Sequence, residues 1–296
     1  MVLTLREIEK AFGEKKVLKG ISFTAEGGKA FGLLGRNGAG KTTTIRILMN
    51  VFSQDAGEVL LDGKPIDYEK IGFGYLPEER GLYPKQKIVD QLVYFAELKG
   101  MEKKDAVKAV DYWLTRLGMA EYRNKKLETL SKGNQQKIQL VTALAHDPDI
   151  VVLDEPFSGL DPVNAMLLKE VVKETIAKGK IVLFSSHQMN YIEEFCDSIA
   201  ILNGGQIVLT GDLREIRHNY PRNRLDILSG QAEAIAAEFG DSCTVGEDGA
   251  LSLLLSDPAD KQKVMKHLTE AYEIDGIRVH EPSLNDIFVE YTEKQI

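Results

Sequence analysis

"AFGLLGRNGAGKTTTIRILMN", residues 30–50, decides the fold. An apolar run bounded by glycine reads as a buried strand, and the stretch from 41 to 51 reads as a helix. Between them "GRNGAGKT", residues 35–42, fits G-x-x-x-x-G-K-[ST] in the strand-to-helix context that motif requires. Gly35, Gly38 and Gly40 let the backbone wrap a phosphate with its N–H groups, where a Cβ would obstruct the turn. Arg36, Asn37 and Ala39 complete the loop, and Thr43 follows it. Lys41 can bridge β- and γ-phosphates, and Thr42 can offer its hydroxyl to Mg²⁺. The ligand this implies is a nucleoside triphosphate.

The partner strand comes much later. "DIVVLDEP", residues 149–156, carries an apolar strand to Asp154, whose carboxylate can hold the Mg²⁺ shell. Glu155 follows directly, placed to orient an attacking water or take its proton. Alone, such a strand end reads as a cap or turn; paired with the phosphate loop it reads as chemistry.

A second anion site is written into "LETLSKGNQQKIQL", residues 127–140. Ser131, Lys132 and Gly133 form a small-residue turn that opens a helix, where unpaired N–H groups suit an anion. Two phosphate sites in one chain need an explanation.

Composition narrows the setting. The chain has 296 residues, enough for roughly two domains of about 150. Its 37 basic and 45 acidic residues leave a net charge of −8, which argues against a general nucleic-acid binder. Cys196 and Cys243 have no metal-type spacing and read as reduced thiols in a cytoplasmic protein. No apolar run approaches the roughly 20 residues that span a bilayer, and "MVLTLREIEK" is no signal peptide.

Further strands are expected at 150–154, 181–186, 198–205 and 206–211, with helices at 162–178 and 188–196 between them. Near-continuous apolar strands alternating with helices indicate an α/β core around a parallel sheet. The first 28 residues alternate and turn, as an antiparallel β flank does. Residues 86–146 read as a helical subdomain inserted in that core. After about residue 215 the pattern changes to a small α+β domain, 216–296, with a hairpin at "EDG" and a last helix from Ser283.

The order GRNGAGKT, LSKGNQQK, VVLDEP, SGLD and a lone His187 after "VLFSS" resembles the ATP-binding cassette (ABC) ATPases over residues 1–215. The resemblance implies a P-loop NTPase of the ABC type that binds and hydrolyses ATP with Mg²⁺. "LSKGNQ" departs from the family's LSGGQ signature at Lys132 and Asn134, while Ser131 and Gly133 remain. In the family this helix opening grips the γ-phosphate of a nucleotide held by the other subunit, which explains two half-sites in one chain. A two-fold dimer, homodimer or pseudo-dimer with a related ATPase, would make two composite sites. By the same resemblance Phe12 stacks on adenine with Val17 beside it. Asp161 communicates across the dimer, and His187 is the switch histidine that reaches the γ-phosphate. Glu78, in "GFGYLPEERGLYP", stands where the family usually has glutamine near Mg²⁺ and the water. Arg80 is placed to offset its charge.

The tail "EPSLNDIFVEYT", residues 281–292, is similar to that of ABC-2-type export ATPases of the sodium-efflux branch. This implies a separate transmembrane permease chain, docked in a groove near residues 75–100, that holds the ATPase at the inner face of the membrane. The alternative is a soluble ABC ATPase of translation or DNA repair. Translation-type members usually carry two cassettes, whereas one GxxxxGK[ST] occurs here, and the roughly ninety residues between loop and signature leave no room for a repair-type coiled coil. A P-loop GTPase would want N-K-x-D, and "NKKL" at 124–127 lacks the aspartate.

Overall fold

The structure, a computed structural model, describes every residue except Arg80, Gly159, Arg222, Glu247, Asp248 and 294–296. The expected roles of Arg80, of Gly159 within SGLD and of the "EDG" turn therefore lie outside the described residues. Two compact units divide the chain: Met1–Leu213 with Phe288–Ile296, and Arg214–Ile287.

The first unit begins with β1 (Val2–Phe12), β2 (Lys15–Glu26), β3 (Ala30–Gly35) and α1 (Lys41–Leu48). Then come β4 (Ala56–Leu61), β5 (Lys64–Pro65), β6 (Phe73–Leu76), α2 (Ile88–Leu98), α3 (Lys103–Arg116) and α4 (Lys132–Leu144). It continues through β7 (Ile150–Asp154), α5 (Pro162–Ala177), β8 (Ile181–Ser185), α6 (Met189–Phe195), β9 (Ser198–Asn203) and β10 (Gln206–Asp212).

Among the described residues these strands make two sheets. One is antiparallel, in the order β2-β1-β4-β5. Leu3, Leu5 and Ile8 of β1 and Ile21 and Phe23 of β2 turn inward, the alternation that a half-covered antiparallel sheet imposes. The other runs β10-β9-β3-β8-β7-β6, parallel except for β10 against β9. Every residue of β3, β7 and β8 is buried, because both faces of this sheet are covered. Phe31, Leu33, Ile181, Leu183 and Ala200 share one core with Leu3, Leu5 and Phe23 of the flank.

Helices α2 to α4 occupy the segment expected to be helical. β6 was not expected: Phe73 to Leu76 is a short strand carrying a glycine, extended by its pairing with β7. Parallel strands deliver their C-terminal ends to one edge, where open α/β sheets bind ligands. Here β3 ends in the glycine loop, β7 in Asp154 and Glu155, β8 leads to His187, and β6 leads to Glu78.

After α7 (Leu213–Asn219) the second unit runs β11 (Arg224–Leu228), α8 (Ala232–Phe239), β12 (Cys243–Val245), β13 (Leu251–Leu254), α9 (Lys261–Ala271) and β14 (Gly276–Val279), and then enters α10 (Leu284–Glu293). The order β12-β13-β11-β14, antiparallel throughout, is the split βαβ arrangement of ferredoxin-like folds. Leu225, Ile227, Ile235, Leu251, Leu253 and Leu268 form its separate core.

Candidate nucleotide site

The loop after β3 is shaped by backbone sterics. Gly40, the N-cap of α1, has φ 116°, and a Cβ there would lie 2.6 Å from Leu18 Cδ2. Only glycine fits both demands. Ala39 tucks beneath the loop, buried, its N–H donating to Arg36 O at 3.1 Å. Gly35, Arg36, Asn37, Gly38 and Gly40 of this loop line a cavity of about 940 Å³.

Lys41 projects into that cavity and donates from Nζ to Gly35 O at 2.5 Å and Arg36 O at 3.4 Å. Burial holds its ammonium below the ordinary lysine pKa, against the opposing pull of Glu155, Asp154 and Glu78. Gly35, Arg36, Asn37, Gly38, Thr42 and Thr43 share the lining, as do Val17, Glu78, Asp154, Glu155 and His187.

The carboxylates are unequal. Asp154 is 5% exposed, and burial raises its pKa, with Glu78 and Glu155 adding to the shift. Tyr75, just ahead of the Glu78 loop, is pushed up to about 12, by burial first and by Asp154 second. Glu155 is also 5% exposed and sits at φ 49°, a left-handed conformation that costs a non-glycine residue about 1–3 kcal/mol. Its carboxylate is heavily engaged. Ser186 Oγ donates to Oε2 at 3.0 Å, the His187 N–H donates to Oε1 at 2.8 Å, and His187 Nδ1 lies 2.7 Å from Oε1. The loop bearing Glu78 is held from the helical side: buried Gln139 of α4 donates from Nε2 to Pro77 O at 3.2 Å and Glu79 O at 3.1 Å.

Among the described residues no three His, Cys, Asp or Glu side chains converge as a protein-only metal cage. Thr42, Glu78 and Asp154 instead offer hard oxygen donors beside a glycine cradle and a lysine. That donor set suits a Mg²⁺ ion shared between a few protein oxygens and the phosphates of a nucleotide.

Ser131, Gly133, Asn134 and Asp161 form a separate group outside this lining. Ser131 caps α4, its Oγ accepting from the Asn134 N–H at 3.4 Å. Asp161 caps α5, accepting from the N–H groups of Val163 and Asn164 at 3.0 Å each, with the Asn164 bond foremost in holding its carboxyl below the ordinary range. The two caps are neighbours, since a Cβ on Gly133 would lie 3.2 Å from Asn164 Nδ2 and 3.8 Å from Asp161 Oδ2.

Phe12 also lies outside the lining. Its ring is half-exposed and edge-on to Phe52 at 5.5 Å, with the Lys10 ammonium 5.7 Å from its centroid. The cavity is reached instead by residues that sequence reading left unassigned: Lys15, Lys16, Lys19, Gly204, Gly205 and Phe288. The lysines sit in a plain β-strand. Gly205 comes close through the β9–β10 turn, its carbonyl accepting from the Lys19 N–H at 2.9 Å.

The glycine loop on β3, Lys41 and the carboxylates at the end of β7 define a P-loop NTPase. Residues 18–158 match the model of the ABC transporter family, and residues 211–292 match that of the DrrA1-3-like ATP-binding protein C-terminal domain. Over 98% of its length the chain is 43% identical to the uncharacterized ABC transporter ATP-binding protein YhaQ of Bacillus subtilis (strain 168), of which it covers 98%. It is 31% identical to the Nod factor export ATP-binding protein I of Burkholderia lata, over 99% of this chain and 98% of that one. The solved ATP-binding subunit of an ABC transporter superposes with a TM-score of 0.68 at 28% identity, covering 74% of this chain and 93% of its own. The chain belongs to the ABC transporter ATP-binding proteins: it is a nucleotide-binding ATPase subunit built on the ABC cassette.

Proposed function

We propose that this ATPase works as the motor of an exporter, closing as a dimer around two ATP·Mg²⁺ and driving a separate transmembrane chain. The observation that carries the reading is the separation of two phosphate-binding surfaces. The P-loop cavity contains Lys41, Asp154, Glu155 and His187, while Ser131 and Gly133 stand apart at the exposed start of α4. Neither Ser131 nor Gly133 lines the cavity of its own copy, whereas a second copy related by a two-fold axis would supply each cavity with that wall. Exposed Val163 and Met166 on α5, beside the Asp161 cap, are suited to the same face.

In this assembly the P-loop N–H groups and Lys41 hold the phosphates; Thr42, Asp154 and Glu78 would hold Mg²⁺, whose charge would offset that developing on the phosphates. Glu155 orients the attacking water and accepts its proton. His187, anchored on Glu155, presents its outer nitrogen to the γ-phosphate.

A separate membrane partner is supported by two features. No helix among the described residues is long and apolar enough to cross a membrane. A second cavity of about 290 Å³, lined in part by Tyr75, Pro77, Leu82, Phe95, Leu98 and Gln139, opens beside the exposed side chains of Tyr94 and Leu98. An apolar groove next to the Glu78 loop can take a helix from that chain. Export, as opposed to uptake, is supported by the likeness to the Nod factor export ATP-binding protein and by the resemblance of the tail.

Sedimentation of the Glu155→Gln protein tests the dimer. ATP should convert it from monomer to dimer, and adding Lys41→Ala should abolish the response. A Glu155→Gln protein that binds ATP and stays monomeric would refute the composite site.

A further inference from the structure

A group of aromatic rings lies close to Glu155 and His187 in the chain, and neither the phosphate nor the metal reading uses it. Phe157, two residues past Glu155, stacks on Tyr191 with centroids 4.0 Å apart and planes 21° from parallel. Phe184 of β8 and Phe195 of α6 extend the group, at 6.3 and 5.6 Å from Phe157. Phe157, Phe184 and Phe195 are buried, and none of the four rings lines the nucleotide cavity.

Tyr191 stands about one helical turn beyond His187. The helix between them has little stability of its own. α6 is only seven residues long, and its N-cap, Gln188, makes no side-chain bond to the first turn. Packing therefore sets its direction, and with it the direction of the His187 side chain that leads into it. α5 adds a second hold. Lys169 donates from Nζ to Glu194 Oε2 at 2.6 Å, and the same ammonium lies 5.2 Å from the Tyr191 centroid. Phe157 itself lies between Glu155 and Asp161 in the chain. Its stack on Tyr191 ties the turn that leads to Asp161 to the helix that begins after His187.

We propose that Tyr191 is a positioning residue for ATP hydrolysis: stacked on Phe157, it holds α6 so that His187 keeps its contact with Glu155. The inference rests on the pairing proposed above for Glu155 and His187 in catalysis. Tyr191 lies outside the cavity lining, so it acts through the histidine and leaves nucleotide binding alone. The hold comes from the ring face, which phenylalanine also offers.

Steady-state ATP hydrolysis by Tyr191 variants, alone and combined with His187→Ala, tests this. Tyr191→Leu removes the stacking face. It should lower kcat about tenfold and leave the KM for ATP within about twofold, as misplacing an acid–base group does. Tyr191→Phe keeps the stack and should retain kcat within about twofold of the parent. Phe157→Leu, which removes the other ring, should reproduce Tyr191→Leu. In the His187→Ala background Tyr191→Leu should cost less than about a further twofold, because residues acting as one unit are not additive. Thermal melts fix an assay temperature below every transition, where a ring that only fills space would leave kcat unchanged. Parent kcat in Tyr191→Leu overturns the inference, and so does Tyr191→Phe as impaired as Tyr191→Leu. A further loss of about tenfold from Tyr191→Leu in the His187→Ala protein overturns it as well. If His187→Ala itself keeps the parent kcat, the role of the histidine fails and this inference with it. If His187→Ala is impaired and Tyr191→Leu is not, the Glu155–His187 pairing stands and only the inference falls.

Discussion

His187 Nδ1 lies 2.7 Å from Glu155 Oε1, and the same oxygen accepts the His187 backbone N–H at 2.8 Å. The two residues come from the ends of adjacent parallel strands, β7 and β8, so the sheet itself sets their separation. The contact orients the imidazole through Nδ1 and leaves its other nitrogen for the cavity. It also fixes a carboxylate that would otherwise rotate, as the proposed water-orienting role of Glu155 requires.

His187→Ala should therefore lower kcat for ATP hydrolysis about 100-fold, the lower range for a positioned acid–base group, while the KM for ATP changes only a few-fold. Steady-state phosphate release measures both. A kcat within threefold of the parent would remove His187 from the mechanism.

Gln139 ties the helical segment to the Glu78 loop through two carbonyls, Pro77 O and Glu79 O. It is 3% exposed, so truncation empties a buried position and removes two hydrogen bonds to part-buried carbonyls, which should cost about 1–3 kcal/mol of stability. A structural role alone would end there. If Gln139 positions Glu78, Gln139→Ala should also lower kcat about tenfold at unchanged ATP affinity, measured below the melting transition. Lower stability with full kcat would leave Gln139 a packing residue.

The fold was legible where local pattern and tertiary demand coincide. β3, β7 and β8 are buried on both faces, so they read as unbroken apolar runs, and the P-loop needs glycines that announce themselves. β6 escaped because four residues around Gly74 carry no periodicity of their own; pairing with β7 extends them. Phe12 and Phe288 show the same limit at the site. Nothing in "KAFGEKK" reveals that Phe52 will pack edge-on against the Phe12 ring, and nothing in "NDIFVEYT" reveals that Phe288 lines the cavity. Which phenyl lines a cavity depends on contacts between residues separated by more than two hundred positions, as Arg36 and Glu293 are.

Glu78 tests electrostatics in the nucleotide-free protein. Burial first, then Glu78 and Glu155, raise the pKa of Asp154. A carboxyl whose pKa is raised on folding contributes stability that is present below the ordinary carboxylate range and is lost as pH rises through the folded value. Glu78→Gln removes one source of that rise together with the least of the three carboxylate pulls on Lys41, so the variant should be the more stable protein at pH 7.5. The gain should be about 0.5 kcal/mol, since Glu78 is exposed and screened, or about 1–2 °C in Tm. The difference should close as pH falls through the carboxylate range and shrink in high salt. Thermal melts in EDTA across pH read this directly, and a variant less stable than the parent at pH 7.5 would contradict the assigned repulsion.

Ser131 separates a capping role from a nucleotide role. Its hydroxyl accepts the Asn134 N–H at 3.4 Å, long for a hydrogen bond, and the residue is exposed. As a cap it should contribute near the low end of the usual range, about 0.5 kcal/mol, so Ser131→Ala should shift Tm by less than about 2 °C. As a donor to the γ-phosphate of a partner-held nucleotide it should matter far more, because that contact forms only when two copies close. Placed in the Glu155→Gln background, Ser131→Ala should bind ATP with unchanged affinity to the monomer and fail to dimerise in sedimentation. A double variant that dimerises with ATP as readily as Glu155→Gln alone would make the serine a helix cap and nothing more, and the second phosphate surface would lose its purpose.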